Sequence, residues 1–280
     1  MYDHVEDTAC PLCEARDVRL ITKAFDPCRV VRCRRCGLAY LSPRWTEDEI
    51  RSVYASDDYY KDSDVGYSDY QRQTEALRMT FRKFMGNLHR RGIMGGRLLE
   101  IGCGFGYLLE AARPFFSFRA GTDYSPGAVR EAARAADTVY LGGLEAIDPG
   151  ERFDVVVLNQ VIEHVYRPVA FLRELRERLS PGGRIVLATP DMNSPLRYLL
   201  GSRWPSYKIP EHVLYFDRAS LTRTLREAGF DSIARIPYPH AFPLGLLLEK
   251  FRLPRPGSLD SYPIWVPWTT LAIHGKKAIV

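Results

Sequence analysis

The sequence of 280 residues has no long apolar run and no targeting segment at its start. Its longest apolar run near the C-terminus, residues 241–248, is far too short to cross a bilayer. Residues 1–7 are polar and acidic, whereas a secretory signal begins with positive charge followed by an apolar stretch. We therefore expect a cytoplasmic protein without a transmembrane segment.

The sequence also has no long basic block, no internal repeat and no low-complexity segment. The formal net charge is only +5 and the arginines are scattered, so nucleic acid is not indicated as a partner. With 46% hydrophobic and 26% charged residues, the composition is typical of a soluble globular protein. A chain of this length is long enough for one large core and a small appendage.

Cysteine is scarce, but four of the six cysteines form two C-x-x-C pairs. Cys10 pairs with Cys13 and Cys33 pairs with Cys36, at the spacing of a four-cysteine zinc site. Two such pairs complete a tetrahedral, structural site. We therefore predict a structural Zn²⁺ in a ribbon over residues 1–45, which is too small to fold without the metal. A redox dithiol and unpaired core cysteines are the alternatives.

Two helices are predicted to follow the ribbon. Thr46 and Glu49 form a capping box that opens a helix ending at about residue 54. A second, amphipathic helix is predicted over about residues 70–90, with Leu77 and Phe81 on its apolar stripe. Residues 46–96 are therefore predicted to form a helical leader or lid.

From residue 97 onward, strands and helices alternate, and this pattern favours a parallel sheet in an α/β fold. The predicted strands are residues 98–101, 118–123, 138–141, 153–158, 184–188, 231–236 and 270–278. Residues 180–183 are predicted to form a turn, and Asp217 is predicted to cap a helix that ends at Gly229. Residues 237–268 fit no regular crossover, so a lid, a dimer contact, a membrane-surface patch and ordinary packing stay open for this insertion.

A glycine-rich turn follows the first of these strands, in residues 97–107 (RLLEIGCGFGY). Gly102, Gly104 and Gly106 allow a sharp turn and a close approach of a ligand to the backbone. Glu100 precedes the turn, and Asp123 ends the next strand, near the spacing at which a carboxylate grips a ribose diol. The pattern predicts a site for an adenosine-containing ligand; a tight turn without a ligand is the alternative.

Taken together, these blocks resemble the class I S-adenosylmethionine-dependent methyltransferases over residues 97–280. The resemblance rests on residues 99–106 (LEIGCGFG), 121–125 (GTDYS), 153–165 (FDVVVLNQVIEHV) and 179–187 (LSPGGRIVL), in this order. The region from Cys10 to Tyr60 looks like the zinc-bearing leader of a subgroup of bacterial methyltransferases, some of which act on deoxysugars and other natural products.

The resemblance implies a Rossmann-like, seven-stranded sheet with helices on both faces and an antiparallel final hairpin, and S-adenosyl-L-methionine as the cofactor. It implies that the three glycines and Glu100 lie near the methionine and ribose parts, and that Asp123 binds the ribose hydroxyls. The further cofactor-binding residues that it implies are Tyr124 and Leu144 at the adenine, and Asn159 and Gln160 near the reactive methyl.

Residues 160–164 (QVIEH) are similar to the E-x-x-E-H stretch of ubiquinone-pathway O-methyltransferases, where acidic groups and the histidine hold a divalent ion. Here the first glutamate is replaced by Gln160, whose neutral amide is a poorer ligand for a hard cation. We therefore predict no catalytic metal. Capping of the following turn is the alternative role for Glu163 and His164.

Methylation of an alcohol needs a base, and histidine suits neutral pH. His164 and His212 are placed by topology near the methyl end. A Glu-His pair performs acid–base work at this place in sugar C-methyltransferases that resemble this chain, which indicates Glu211 and His212 as catalytic residues. Those enzymes carry a further C-terminal domain with no counterpart here, which favours transfer to a hydroxyl.

The first hypothesis is therefore methyl transfer to a small-molecule hydroxyl, on a sugar or natural-product intermediate. An RNA methyltransferase that grips phosphates through its ribbon, a sugar C-methyltransferase and a non-catalytic cofactor-binding protein stay open as alternatives. A homodimer also stays open.

Overall fold

The computed structural model describes residues 5–54, 71–250, 253–254 and 257–278. Residues 55–70 of the predicted leader lie outside this range. The strands of the described residues are β1 (Val5–Glu6), β2 (Val18–Phe25), β3 (Cys28–Cys33), β4 (Ala39–Leu41), β5 (Arg44–Trp45), β6 (Arg97–Ile101), β7 (Phe118–Asp123), β8 (Thr138–Leu141), β9 (Phe153–Asn159), β10 (Leu179–Pro190), β11 (Leu214–Tyr215), β12 (Phe230–Ile236), β13 (Ala241–Pro243), β14 (Pro263–Trp265) and β15 (Thr270–Lys277).

The helices of the same residues connect these strands. The α-helices are α1 (Glu47–Tyr54), α2 (Thr74–His89), α3 (Tyr107–Ala112), α4 (Pro126–Ala132), α5 (Pro168–Glu177), α6 (Pro195–Leu200), α7 (Arg218–Glu227) and α8 (Leu244–Lys250). Short 3₁₀ helices are Gln71–Gln73, Leu144–Ala146, Ile162–His164, Gly201–Arg203 and Gly257–Leu259. None of the described helices has the length and apolar character that a membrane span requires.

The central sheet has seven strands in the order β12–β15–β10–β9–β6–β7–β8. Neighbouring strands from β10 to β8 are parallel, whereas β15 is antiparallel to both β10 and β12. Strand β9 lies between β10 and β6, and its residues Val156, Val157 and Leu158 are fully buried, because helices cover both faces of a parallel sheet. The predicted Rossmann-like α/β fold is confirmed, and its final two sheet strands, β12 and β15, form the predicted antiparallel pair, with the insertion between them.

Strand β10 differs from the sequence prediction at its start. It begins at Leu179 and includes residues 180–183, for which the sequence predicts a turn. Its pairing with β9 shifts register between Leu179 and Arg184. The register shift shows that these four residues form a bulge inside the strand. The two glycines allow its tight backbone: Gly182 has a positive φ, and a side chain at Gly183 would lie 2.9 Å from the Ser180 carbonyl oxygen.

The insertion packs against α2. β13 and β14 pair antiparallel within it, with α8 between them in sequence. The Asn87 side chain donates a hydrogen bond to the Pro237 carbonyl (2.7 Å), and the Ala241 N–H donates one to the Thr80 hydroxyl (2.9 Å). These bonds join the insertion to the face of α2 that also carries the buried Phe84.

The N-terminal sheet contains a strand that comes from a distant part of the chain. Its four strands are antiparallel in the order β11–β4–β3–β2, and β11 lies between β10 and α7 in sequence. The sequence predicts short ribbon strands around residues 19–21 and 29–32, but no strand from outside the ribbon. One hydrophobic cluster contains ribbon residues such as Tyr40 together with Leu214 and Phe216 around β11 and Leu158 of the central sheet. The ribbon and the central sheet therefore share a core.

Candidate functional site

A cavity of about 1130 Å³ opens where β6, β7 and β9 end. Its walls include the glycine-rich turn, the end of β7, α2, the segment before β11 and the insertion. Ligands of open α/β sheets bind at the carboxyl ends of the strands. The volume slightly exceeds the usual range for one small-molecule site, about 300–1,000 Å³, and so leaves room for two ligands side by side.

The glycine-rich turn forms one wall of the cavity through Gly102 and Gly104. At Gly102 the φ angle is +68°, and a Cβ atom would lie 2.7 Å from Val161 Cγ2, so no other residue fits without strain. Gly106 is placed differently from the other two. It lies at the start of α3, where a Cβ atom would meet the backbone of Ala132 at 2.9 Å, and it is not among the cavity-lining residues.

Asp123 is held in place by two backbone N–H groups. Its Oδ2 atom accepts a hydrogen bond from Gly104 (2.9 Å) and its Oδ1 atom accepts one from Ser125 (3.0 Å). Because the turn and the carboxylate are bonded to each other, the cavity wall and its negative charge have one fixed geometry. A carboxylate oxygen accepts more than one hydrogen bond, so Asp123 keeps the capacity to bind hydroxyl donors.

Tyr124 and Glu145 form the wall beyond Asp123. The Tyr124 hydroxyl donates a hydrogen bond to Glu145 Oε1 (3.1 Å), which also accepts one from the Gly143 N–H (2.8 Å). Leu144 lies between Gly143 and Glu145 in sequence and lines the same wall. Glu145 is not predicted as a site residue from the sequence, because one glutamate in a short connection carries no spacing signal.

Several buried polar atoms around the cavity have no hydrogen-bond partner among the described residues. These atoms are Glu100 Oε2, Thr122 Oγ1 and Gln160 Nε2. Burial and the neighbouring Asp123 charge raise the pKa of Glu100 well above its usual value. Since buried polar groups in native proteins are normally hydrogen-bonded, these atoms fit a polar ligand such as the predicted cofactor.

Asn159 and Gln160 lie where β9 ends. Asn159 Oδ1 accepts a hydrogen bond from the Tyr238 hydroxyl (2.7 Å), which links the end of β9 to the insertion. Gln160 has a φ angle of +57°, and its N–H donates to the Ala188 carbonyl (2.8 Å). Left-handed backbone at a residue other than glycine costs about 1–3 kcal/mol and is concentrated at functional sites.

His164 and His212 meet at the next part of the wall. Their ring centroids are 4.7 Å apart and their planes are almost perpendicular, at 88°. His164 Nδ1 lies 3.0 Å from the Glu211 carbonyl oxygen, and His212 Nδ1 lies 2.9 Å from the Ser206 carbonyl oxygen. A carbonyl accepts only, so Nδ1 carries the proton in both rings and Nε2 keeps its lone pair.

Burial keeps both imidazoles uncharged. It lowers the pKa of His164 to about 4, and it lowers the pKa of His212 well below the usual value, where the positive charge of Lys208 acts in the same direction. The Lys208 ammonium lies 2.8 Å from Glu211 Oε2. The predicted catalytic residues His212, Glu211 and His164 are thus brought together in one cluster, and Lys208 joins them.

Glu163 lies beside this cluster. Its Oε2 atom accepts a hydrogen bond from the Thr189 hydroxyl (2.9 Å), and burial raises its pKa to about 8. Ligand atoms of Glu163, His164 and His212 lie within 4.8 Å of one another. The set does not fit the hard cation implied by an E-x-x-E-H stretch, because Gln160 is an amide and the Lys208 charge acts on the other three residues.

The insertion forms an aromatic wall on the far side of the cavity, made of Tyr238, His240 and Phe242. Ring centroids are 5.7 Å apart between Tyr238 and His240 and 4.0 Å apart between His240 and Phe242. Burial lowers the pKa of His240 to about 3, so this wall is uncharged. Leu77 and Phe81 of α2 line the same cavity. The aromatic composition of residues 237–268 is the sequence signal for this wall, but it does not indicate where these rings lie.

The four ribbon cysteines form a second cluster, away from the cavity. Their sulfur atoms all lie within 4.8 Å of one another, with Cys10–Cys36 at 3.4 Å and Cys13–Cys33 at 3.5 Å. A zinc tetrahedron with metal–sulfur bonds of about 2.3 Å has edges of about 3.8 Å, so the thiols fit this ion. Burial acts to raise the pKa of Cys33, but hydrogen bonds from the backbone of Cys36 and Arg35 and from the thiols of Cys13 and Cys36 outweigh it and lower the pKa to about 7.

Comparison with known proteins gives a family match over the central part of the chain. A family model described as "Methyltransferase domain" matches residues 70–234. The ubiquinone biosynthesis O-methyltransferase of Cereibacter sphaeroides is 34% identical over 154 residues, which cover 50% of this chain and 62% of the relative. The enzyme of the same name from Bradyrhizobium diazoefficiens is 36% identical over 119 residues, which cover 40% and 47%. The chain thus spans less than two thirds of the length of these curated relatives.

Solved structures show the same fold at low sequence identity. A SAM-dependent methyltransferase of Thermotoga maritima is 18% identical with a TM-score of 0.55, and the match covers 75% of this chain and 94% of that one. The magnesium protoporphyrin IX methyltransferase of Synechocystis with bound S-adenosylhomocysteine is 17% identical with a TM-score of 0.53, and the match covers 83% and 100%.

Proposed function

Because the chain belongs to the methyltransferase domain family, we propose that it transfers the methyl group of S-adenosylmethionine to a hydroxyl of a small organic acceptor. The observation that carries this proposal is one continuous cavity. It runs from the glycine-rich turn and Asp123 to His212 and the aromatic wall.

Eight of the predicted residues are proposed to hold the cofactor. Asp123 binds the ribose hydroxyls, and the unpartnered buried atoms of Glu100 and Gln160 bind polar groups next to them. The complete set is Glu100, Gly102, Gly104, Asp123, Tyr124, Leu144, Asn159 and Gln160, all of which line the cavity. Gly106 is left out of this contact set, since its role is the close packing of α3 on α4.

When bound, S-adenosylmethionine supplies a methyl group that its sulfonium already activates. The protein then has to orient the acceptor oxygen, exclude water and accept a proton. We assign the proton to His212 Nε2, because the Ser206 carbonyl holds the other ring nitrogen as the donor. Glu211 orients the cluster: its carboxylate forms an ion pair with Lys208, and its backbone carbonyl accepts a hydrogen bond from His164.

The acceptor end favours a planar, apolar molecule that carries a hydroxyl. Its walls are the rings of Tyr238, His240 and Phe242 and the apolar side chains of Leu77 and Phe81. Aromatic rings pack well against flat partners, whereas a sugar needs many hydrogen-bonding groups around it. The O-methyltransferase names of the curated relatives support a hydroxyl acceptor. A natural-product phenol fits this wall better than a deoxysugar does.

We further propose a structural Zn²⁺ bound to Cys10, Cys13, Cys33 and Cys36, on the fit of the four thiols to a tetrahedron.

The proposal is tested by cofactor binding and by product analysis. Calorimetry with S-adenosylhomocysteine should show one site, and Asp123→Asn should weaken it about tenfold or more, because the ribose loses a charge-assisted partner. Asp231→Asn, on the exposed part of β12, is the matched control. Mass spectrometry should then find products heavier by one methylene unit from a panel of phenols. Absence of any binding heat would end the methyltransferase proposal, and products from sugars alone would overturn the acceptor assignment.

A further inference from the structure

The residue that follows the proposed base His212 is hydrogen-bonded to two distant parts of the chain. Val213, next to His212, accepts a hydrogen bond at its carbonyl from the Leu41 N–H of the ribbon (2.9 Å). Its own N–H donates to the Glu163 carbonyl at the end of the central sheet (3.0 Å). The backbone beside His212 is thus fixed between the ribbon and the sheet.

The strand after His212 extends this connection. Leu214 pairs with Tyr40 and Tyr215 pairs with Ala39, and all four residues are buried. At the end of the same segment, Asp217 forms an ion pair with Arg32 of β3 (3.3 Å). The ribbon therefore contacts the segment 213–217 through β4 and through β3.

Two of the four clustered cysteines lie at the turn that joins these two ribbon strands. β3 ends at Cys33, β4 begins at Ala39, and Cys36 lies between them. The turn is closed by hydrogen bonds from the Cys33 N–H to the Leu38 carbonyl (2.9 Å) and from the Gly37 N–H to the Cys33 carbonyl (3.0 Å). A bound metal would hold this turn, and through it the strand β4 that carries β11.

We infer that the ribbon positions His212: β4 and Arg32 hold the backbone after His212 in place, and metal binding by the four cysteines maintains this arrangement. The inference rests on the proposed function, since that function assigns His212 as the base. The ribbon residues named here are positioning residues and are not catalytic, because they act through Val213 and β11.

Cofactor binding should not depend on the ribbon in the same way. The residues assigned to the cofactor belong to the ends of β6, β7 and β9 and to the turns after them, and these strands pair only within the central sheet. Loss of the metal should therefore displace His212 and leave affinity for S-adenosylhomocysteine nearly unchanged. A displacement of about 1 Å at a catalytic group can cost about 100-fold in rate.

The test observes His212 directly, so it needs no acceptor. The full chain is labelled at histidine, and the imidazole signals are followed by NMR with and without the double substitution Cys33→Ser and Cys36→Ser. In the metal-free variant, the His212 Nδ1 proton should exchange at least tenfold faster, and the pKa of the ring should return towards its ordinary value. His240, in the insertion, is the internal control and should not change.

Affinity for S-adenosylhomocysteine is measured on the same samples and should change by less than about threefold. Unchanged His212 signals in a variant that has lost its metal would overturn the inference. Absence of binding in both samples would end the proposed function, and the His212 signals would still decide the inference about the ribbon.

A second variant leaves all four cysteines in place, in case the first one does not fold. Arg32→Ala removes the ion pair with Asp217, and the amides of residues 212–216 should then exchange about two- to fivefold faster. Arg29→Ala, exposed on the same strand β3, is the matched control. Equal exchange in Arg32→Ala and Arg29→Ala would also overturn the inference.

Discussion

Burial determines the protonation of the titratable residues around His212. His164 and His212 are enclosed between the end of β9 and the segment before β11, so each ring is neutral and donates through Nδ1 to a backbone carbonyl. A neutral imidazole with a lone pair on Nε2 is ready to accept a proton, although burial also makes it a weaker base.

At the scale of single residues, we expect His212→Ala to lower turnover about 10²- to 10⁴-fold, the usual contribution of a positioned general base. Affinity for S-adenosylhomocysteine should stay the same, because His212 is not among the proposed cofactor residues. The measurement is steady-state turnover with an acceptor from the phenol panel, with the exposed His89→Ala as the control. Full activity of His212→Ala would remove its role as the base.

The pH dependence of turnover follows from the lowered pKa of His212. A base with a pKa well below 6.5 stays unprotonated as the pH falls through 6.5. We therefore expect a constant rate between about pH 8 and about pH 6, with the loss of rate at lower pH, in a pH profile of kcat/KM. A decline centred at about pH 6.5, the ordinary pKa of histidine, would contradict the buried, neutral state of His212.

The pKa of Glu163 moves in the opposite direction, and this predicts a stability change. Its folded-state pKa of about 8 lies above the ordinary value of 4.5, so the folded state binds more protons than the unfolded state between these two pH values. Stability from this group is present below pH 4.5 and is lost as the pH rises to about 8. Because a pKa difference of one between the two states is worth about 1.4 kcal/mol, the loss is a few kcal/mol at most.

The variant Glu163→Gln removes this titration but keeps a side chain of similar shape. Its free energy of unfolding, relative to that of the original chain, should rise between about pH 5 and about pH 8 in urea titrations, because only the original chain loses stability there. Glu177→Gln, on the exposed surface of α5, should show no such trend. A pH-independent difference for Glu163→Gln would show that the carboxyl group is not protonated in the fold.

At the scale of secondary-structure elements, local signals set the beginnings of helices. Asp217 accepts a hydrogen bond from the Ser220 N–H (2.9 Å) and its own N–H donates to the Ser220 hydroxyl (3.0 Å), which is a reciprocal capping box at the start of α7. We expect Asp217→Ala to lower the free energy of unfolding by about 1–2 kcal/mol, since both the cap and the Arg32 ion pair are lost.

Urea denaturation measures this effect, and Asp217→Asn separates the two contributions. Asparagine retains the capping bond but not the charge, so Asp217→Asn should recover most of the lost stability. Equal losses in the two variants would assign the effect to the ion pair with Arg32 instead of the cap.

The elements that sequence could predict are those whose signals are local. Strands β7 and β8 have the predicted bounds. Strand β9 begins at the predicted residue 153 and ends one residue later than predicted, because its apolar, β-branched residues 155–158 mark a buried strand. The start of β10 could not be predicted: residues 180–183 are typical of a turn, but β10 pairs with β9 on both sides of them, at Leu179 and at Arg184.

The residues of the candidate site also divide into those that a local sequence signal indicates and those that depend on distant parts of the chain. Gly102 and Gly104 follow β6 and Asp123 ends the next strand, β7, so each has a local sequence signal, and the structure brings them together at one cavity. β11 has only two residues, and its partner β4 lies far away in sequence, at residues 39–41, so no local pattern indicates the pairing. The aromatic wall depends likewise on how the insertion folds back on α2, which side-chain type alone does not determine.

At the scale of the whole molecule, the ribbon and the sheet are proposed to depend on a bound metal. We expect Cys33→Ser, or treatment with a zinc chelator, to remove the metal and to lower Tm by about 10 °C or more, because several kcal/mol of binding free energy support the fold. Zinc content and Tm are measured on the same sample. Cys28→Ala, in the same sheet but outside the cluster, should keep its zinc. A fully folded Cys33→Ser variant without metal and with unchanged Tm would exclude a structural zinc.

The strand that crosses from residues 214–215 into the N-terminal sheet limits how this protein can be divided. Deleting residues 5–45 would leave Leu214 and Phe216 without the apolar surface that covers them, so the remainder should aggregate. Chimeras between this protein and its relatives face the same constraint: a transplanted ribbon needs its own version of the crossing segment. The two paired segments, residues 39–41 and 213–215, should therefore have changed together during evolution. Correlated substitutions between them across related chains would show this.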